Sequence, residues 1–360
     1  MITRIAFDAL ALQPATGGAL EQRLQSRRLA ETVREFGLLS LLGEHDAREL
    51  LTVLERLAES LGYDFWRPLI RALANGGPDV LRACPPNHAS TRELLKSGDL
   101  DGLRSNADLV VVNSTGGPVS GLTGAQITSL YELAGFADAG GNLELALANA
   151  ADQCNTVTSI KRLRSETVIP RGTPSTTLWE TYFSPLARVS SEVNIFDRYL
   201  FSGLHRTGRQ RADYLLWLLN ALDRNLPQAA SVNLFACSGQ EVLRKSTRSH
   251  PTNPYTVHDI SATLRHLDLW NRPGRLHLYL FDDLHHDRHI RFGCGSAVMP
   301  QQGFDQLSFP RGTLAKNFSY TFVSGGQSLS ARADEEARAR RSGRHWVLRS
   351  KRGGFEAVAP

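Results

Sequence analysis

The chain is poor in cysteine. Only four cysteines occur in 360 residues, at positions 84, 154, 237 and 294, and none forms a Cys-x-x-Cys pair. The sequence therefore predicts neither a zinc cage nor a disulfide framework, and the thiols are expected to be buried. Glycine-rich phosphate motifs are also missing, because Ser114-Thr-Gly-Gly117 fits no dinucleotide or P-loop spacing. We expect no cofactor and no bound metal.

Long apolar runs are missing as well. No stretch approaches the roughly 18 residues that cross a bilayer, and the amino terminus lacks the basic, apolar and small-residue order of a secretory signal. The composition, 41% hydrophobic, still suffices for buried cores. The sequence thus predicts a folded cytoplasmic protein with two or three domains.

Lysine is sparse, so arginine supplies most of the positive charge. The net charge is +5 and the isoelectric point is about 9.2. The planar guanidinium group suits bidentate phosphate contacts, although GC-rich coding produces the same bias. We expect a nucleic acid, DNA or RNA, as partner. An acidic membrane surface is the less favoured alternative.

The first half alternates between strand and helix patterns. Strands are predicted over 2–11, 108–113 and 166–170, and helices over 20–61 and from Thr123. The stretch 171–175, with its glycine and proline, is the predicted linker. We therefore predict an amino-terminal α/β or helix-rich domain over residues 1–170, serving recognition or assembly.

The second half alternates more regularly. Helices are predicted over 177–188, 207–224 and 255–269, and strands over 192–197, 231–236 and 275–282. Such alternation favours crossover connections and a mainly parallel sheet flanked by helices. A strand over 288–292 is expected to pair with 275–282 as a hairpin. This α/β domain is predicted over residues 176–325.

Residues 331–360 form a predicted arginine-rich tail. Its candidate nucleic-acid-binding residues are Arg338, Arg340, Arg341, Arg344, Arg349 and Arg352. One interpretation is a solvated tail. The other is a contact that follows a nucleic-acid backbone through charge alone.

The densest group of chemically active side chains is Asp282-Asp-Leu-His-His-Asp-Arg-His289. Side chains two residues apart on a strand share a face, so His286 and Arg288 are expected to point the same way. An imidazole can attack phosphorus or donate a proton, while a guanidinium stabilises the developing charge. Because His285 and His286 diverge on a strand, a metal site is disfavoured here.

Three segments together resemble the phospholipase-D-like superfamily, in particular bacterial members with a His-Asp-Arg signature and the carboxyl-terminal domain of MIT-domain proteins. The segments are 178–200, with Leu-Trp-Glu, Phe-Ser-Pro and a strand ending in Asp-Arg-Tyr; His286-Asp-Arg-His-Ile290; and Gly303-Phe-Asp305. The resemblance covers about 145 residues. It implies a phospholipase-D-like fold that engages a phosphodiester backbone.

The signature is degenerate. Active superfamily members use His-x-Lys followed by an aspartate, whereas this chain has Arg288 and Gly293 at those places. The resemblance also implies that two copies complete one site, so a homodimer or larger complex is expected. For catalysis it implies His286 as nucleophile, Arg288 as phosphate clamp, His285 or the second copy's His286 as acid, and Asp197 or Asp305 as orienting residues.

The functional expectation is a nuclease-like component of a bacterial defence (anti-phage) or DNA-transaction system, with enzymatic activity left open. One alternative is a non-catalytic scaffold or binding protein with a vestigial phosphate site. A second is a metal-dependent PIN-like nuclease in the first half, built on Asp8, Asp108 and Asp152.

Overall fold

The chain folds into two α/β units, Met1–Ser165 and Glu166–Pro360. The computed structural model describes residues 2–13, 18–42, 44–75, 80–82, 89–114, 119–201, 213–237, 256–264, 272–281, 287–324, 326–351 and 354–359. Within these ranges, no helix combines the length and the apolarity needed to cross a membrane.

The first unit is built on a six-stranded sheet. Its strands are β1 Thr3–Phe7, β2 Gly37–Leu41, β3 Val80–Arg82, β4 Leu109–Val112, β5 Phe136–Gly140 and β6 Leu143–Leu147. Their order is β3-β2-β1-β4-β6-β5, and every neighbouring pair is parallel except β5 with β6. Every residue of β4 is buried, as expected for an apolar strand at the centre of a sheet covered on both faces.

Seven α-helices belong to the described part of this unit. They are α1 Ala19–Phe36, α2 Glu44–Ser60, α3 Arg67–Asn75, α4 Thr91–Ser97, α5 Leu100–Asn106, α6 Gly124–Thr128 and α7 Asn155–Ser165. Two begin at capping boxes, in which Ser90 pairs with Glu93 and Thr123 with Gln126. The prediction of a helix starting near Thr123 is confirmed.

The predicted helical segment 20–61 is interrupted by β2. The periodic pattern of leucine and alanine runs through Gly37–Leu41, so the sequence predicts a helix where this strand lies. A Cβ on Gly37 would lie 2.6 Å from Ile5 Cδ1 and 2.8 Å from the Val33 carbonyl oxygen. Only glycine allows the chain to turn here from α1 directly into the sheet.

The second unit contains a nine-stranded sheet. Its strands are β7 Val168–Ile169, β8 Glu192–Asp197, β9 Ser231–Cys237, β10 Leu276–Phe281, β11 Arg288–Phe292, β12 Ser296–Pro300, β13 Phe318–Ser324, β14 Arg344–Lys351 and β15 Gly354–Val358. The order is β15-β14-β10-β9-β8-β11-β12-β13-β7. Only β8 with β9 and β9 with β10 are parallel. The prediction of a mainly parallel sheet is corrected to a mixed sheet with a parallel centre.

The described part of this unit also contains helices. They are α8 Ser175–Leu178, a π-helical turn Trp179–Phe183, α9 Ser184–Ala187, α10 Asp213–Asn225, α11 Val257–Leu264 and α12 Gly326–Ser342. The predicted apolar stripe of α10 is buried at Leu215, Leu219 and Leu222. The helical spacing predicted this buried stripe.

The predicted hairpin between 275–282 and 288–292 does not form. Strand β11 instead pairs antiparallel with β8, placing β8 and β9 between it and β10. A short connection favours a hairpin, but the edge of β10 is taken by β14. The chain therefore brings Arg288 beside Asp197.

Two predicted boundaries also change. The supposed linker 171–175 is tied into the second unit: Gly172 N–H donates to the Leu314 carbonyl, and Pro174 forms a β-bridge with Thr313. The supposed tail 331–360 supplies α12, β14 and β15, and β14 extends the sheet next to β10. Its arginine content hid a strand whose three apolar residues, 346–348, stand between basic ones.

Candidate phosphate site

Asp197 and Arg288 lie directly opposite one another on β8 and β11. Arg288 Nε is 3.4 Å from Asp197 Oδ1, and the two side chains are 25% and 3% exposed. Asp197 ends β8, where it also accepts a hydrogen bond of 2.8 Å from the Tyr199 amide. Two predicted site residues, 91 positions apart (288 minus 197), are thus brought together at one end of the parallel strands.

An aromatic ring borders this pair. The Arg288 guanidinium carbon lies 5.4 Å from the centre of the Tyr199 ring, and that of Arg198 lies 5.9 Å from it. Both distances are within reach of a cation–π attraction. Arg288 Nε is buried and forms no hydrogen bond with any described group. The site therefore presents a held but incompletely hydrogen-bonded guanidinium.

Most of the other predicted site residues near Arg288 lie outside the part of the chain that the structure describes. His285 and His286 lie outside the described residues, as do Asp282, Asp283 and Arg352. Asp305 belongs to a 3-10 turn, Phe304–Gln306, in the second unit. The structure thus places Asp197 and Arg288 together, while the two histidines lie outside the residues that it describes.

The opposite face of β11 is held by α12. Arg332 pairs with Asp287, and Glu336 Oε1 lies 2.9 Å from His289 Nε2. Glu336 Oε2 also accepts a hydrogen bond of 2.8 Å from Arg291 Nε. Residues 287, 289 and 291 lie on one face of the strand, and residues 332 and 336 lie on one face of the helix, one turn apart. These two faces contact each other. We call this set of five residues the α12 clamp.

Hydrogen bonds bring Asn194 into the same buried cluster. Its amide nitrogen donates to Glu336 over 2.6 Å, and its amide oxygen accepts from Asn233 over 2.7 Å. Burial opposes ionisation of Arg291, but the Glu336 carboxylate outweighs this effect and raises the pKa of the guanidinium. The cluster is therefore a polar core beneath α12. Sequence patterns missed it because Glu336 sits among exposed charges on an arginine-rich helix.

The predicted nucleic-acid-binding arginines divide into two groups. Arg340 pairs with Glu192 at 2.8 Å and lies over the Phe235 ring. Although burial opposes ionisation of Glu192, hydrogen bonds from Arg340 and Asn194 lower its pKa. Arg338, Arg341, Arg344 and Arg349 are exposed. Arg340 is thus a packing residue, and the exposed four remain candidates for an external anion.

Five rings form a row across the face that α12 covers. His289, Phe196, Phe235, Tyr279 and His345 lie opposite one another on five neighbouring strands. Successive ring centres are 4.9, 5.6, 4.9 and 4.3 Å apart. Cross-strand aromatic pairs of this kind fix the strand register. His289 thus lies on the face of β11 opposite Arg288.

The aspartates of the first unit do not gather at one edge. Asp8 follows β1 and pairs with Arg92 at 3.0 Å, whereas Asp108 precedes β4 and pairs with Arg4 at 2.7 Å. Since β1 and β4 are parallel and in register, these two residues lie at opposite ends of the strands. Asp152 lies in a turn, where its carbonyl accepts from Lys161. This arrangement gives no support to a PIN-like metal centre, and the described residues contain no cluster of three or more potential ligands.

No family model and no curated protein matches the chain. Among solved structures, the archaeal chromatin protein TrmBL2, whose structure is described as showing a novel mode of DNA binding, is similar at 10% sequence identity with a TM-score of 0.26. The match covers 51% of this chain and 55% of that one, so it spans about half of each. A likeness this low bears on neither the fold nor the function.

Proposed function

We propose that the second unit binds a phosphate group of a phosphodiester backbone where Asp197 and Arg288 meet, as a phospholipase-D-like protein. The observation that supports this proposal is the placement of Arg288 opposite Asp197, with 3.4 Å between Nε and Oδ1. Two of the segments on which the resemblance rests thereby become neighbouring strands.

Arg288 has the properties of an anion ligand. Its side chain is one quarter exposed, so a phosphate oxygen can reach it from solvent. Asp197 is buried and anchors the guanidinium from one side, leaving the remaining N–H groups for a phosphate. A guanidinium fixed in advance binds with little further loss of side-chain entropy.

His286 is the proposed nucleophile. It stands two positions before Arg288, the spacing at which strand residues share a face. A second copy of the chain would supply the acid. The proposed setting is a nuclease-like component of a bacterial defence or DNA-transaction system.

Binding of fluorescein-labelled single-stranded DNA and RNA to the full chain, followed by anisotropy, tests the proposal. Arg288→Ala is expected to raise the dissociation constant about ten-fold or more, since a charge-assisted hydrogen-bonded pair contributes roughly 1.5 to 3 kcal/mol. Arg188→Ala is the matched control, because Arg188 belongs to the same unit and pairs with Glu180 on the surface. Equal affinities for the two variants, both folded, would refute a phosphate site at Arg288.

A further inference from the structure

His277 and His345 form a close pair on neighbouring strands. His277 lies on β10 and His345 on β14, on the face that α12 covers. His345 is directly opposite Tyr279, so His277 is its diagonal neighbour two residues along the strand. The ring nitrogens His277 Nδ1 and His345 Nε2 are 3.2 Å apart.

From this geometry we infer that His277 and His345 form a binding site for a divalent transition-metal ion. A tetrahedral zinc ion with Zn–N bonds of about 2.0 to 2.1 Å holds two ligand nitrogens about 3.3 to 3.4 Å apart. The observed separation is within a few tenths of an ångström of that value. Conversion from a hydrogen-bonded pair to a chelate moves the proton between them to the other nitrogen of its ring, so that both facing nitrogens carry a lone pair.

The chemical state of the pair suits a metal. Burial, His345, Arg340 and Arg275 lower the pKa of His277, and burial and Arg340 lower that of His345. Both imidazoles are therefore mainly neutral near pH 7, and each has a lone pair to donate. The positive charge of Arg340 is balanced by Glu192 at 2.8 Å. The Glu192 carboxylate also opposes part of the effect that the two arginines have on the pKa of His277.

The surroundings fix the orientation of one of the two histidines and leave the other coordination positions of the ion accessible to water. The Tyr279 ring stacks on His345 with 4.3 Å between centres and 5° between planes, which restricts rotation of that imidazole. Both histidines are only partly buried, so water can complete the coordination sphere. Imidazole nitrogen favours zinc, nickel, cobalt and copper over magnesium and calcium.

Titration of the full chain with zinc chloride, nickel chloride and magnesium chloride in a calorimeter tests this site. We expect one saturable equivalent of zinc or nickel and no heat from magnesium. His277→Gln/His345→Gln should lower the zinc affinity by at least about ten-fold, since even loss of an outer partner of a ligand costs roughly 10- to 100-fold. His258→Gln, which removes an exposed histidine of α11, should leave it unchanged.

Thermal unfolding gives a second measurement. At a zinc concentration about 100 times the dissociation constant, linkage predicts a rise in Tm of roughly 5 to 10 °C for the wild type. No rise is expected for the double variant, and if that variant is unfolded without metal, the single His345→Gln variant replaces it. Zinc binding that persists in the glutamine variant but disappears in His285→Gln/His286→Gln would overturn the inference. So would the absence of saturable binding, which would leave the pair as an N–H···N hydrogen bond.

Discussion

The carboxylate of Glu336 lies 2.9 Å from Nε2 of His289, and the two side chains are 2% and 0% exposed. This contact joins the arginine-rich helix α12 to the strand that presents Arg288 on its other face. The same carboxylate accepts hydrogen bonds from Arg291 and Asn194. Strand β11 and helix α12 are therefore joined by one buried polar network.

Glu336→Ala should destabilise the protein severely. The substitution leaves His289 buried without its acceptor and leaves Arg291 with Glu192 alone. Breaking a buried charge pair in this way costs about 3 to 5 kcal/mol. Urea unfolding followed by tryptophan fluorescence measures the loss. Asp334→Ala, an exposed carboxylate on the same helix, should change the free energy of unfolding by less than about 0.5 kcal/mol. Similar losses in both variants would disprove the role of the α12 clamp.

The exposed and buried arginines of the basic segment should behave differently. Arg338→Ala/Arg341→Ala should weaken binding to unrelated DNA sequences alike, and for duplex DNA it should reduce the slope of log K against log salt by about 0.9 per lost phosphate contact. Arg340→Ala should instead lower the stability, because it removes one of the two arginines that pair with the partly buried Glu192. Anisotropy at several salt concentrations separates the two effects. An unchanged slope in the first variant would show that the exposed arginines do not contact nucleic acid.

Sequence patterns predicted the elements of the second unit better than their arrangement. Strands β8 and β11 have the predicted bounds of 192–197 and 288–292, because apolar runs bounded by turn residues are local signals. Which strands pair is decided by packing between distant segments. The sequence therefore suggested a β10–β11 hairpin, whereas β14, hidden among arginines, fills the edge of β10.

The candidate site was predictable only in part. Asp197 and Arg288 could be proposed from motif spacing, and the structure brings them together. The α12 clamp could not, because Glu336 has no distinguishing neighbours in the sequence and its partners lie more than 40 positions away. The His277–His345 pair was missed for the same reason, since each histidine stands alone in its segment.

The unit boundary can be tested with two fragments. A fragment of residues 166–360 retains β7 and the contacts of 171–174 with 313–317, whereas a fragment of residues 176–360 loses both. Ile169 is 1% exposed, and burying such a side chain contributes roughly 1.5 to 3 kcal/mol. We expect the shorter fragment to unfold at a lower urea concentration. Equal midpoints would support the sequence-based boundary at 171–175.

Stability should fall on acidification because of His277 and His345. Their lowered pKa values favour the neutral imidazoles in the folded chain, while the unfolded chain takes up protons near pH 6.5. The unfolded state then binds more protons, so this contribution is complete above about pH 6.5 and is lost as the pH falls through the lowered folded values. Of the charges that face His277, Arg340 and Arg275 lower its pKa and Glu192 raises it. Unfolding free energies measured in metal-free buffer between about pH 7.5 and 5 should depend less on pH in His277→Gln/His345→Gln than in the wild type.

His286→Ala distinguishes hydrolysis from binding alone. A nucleophilic imidazole has no substitute, so this variant should lose any phosphodiesterase turnover while keeping most of its affinity for DNA or RNA. Arg288→Ala should lose both. Turnover of a fluorogenic phosphodiester, measured beside anisotropy, gives the comparison. If the wild type shows no turnover and both variants merely bind more weakly, the protein is a phosphate-binding protein without catalysis.

The row of five rings has a consequence for how the protein is made. It links Phe196 on β8 to His345 on β14, so this part of the sheet is complete only after β14 has left the ribosome. Until then Asn194, Asn233 and the rings beside them have no helix over them. A nascent chain that stops before α12 exposes this face and the open edge of β10, and is therefore a substrate for chaperones or proteases. Long-range pairing of this kind also slows folding.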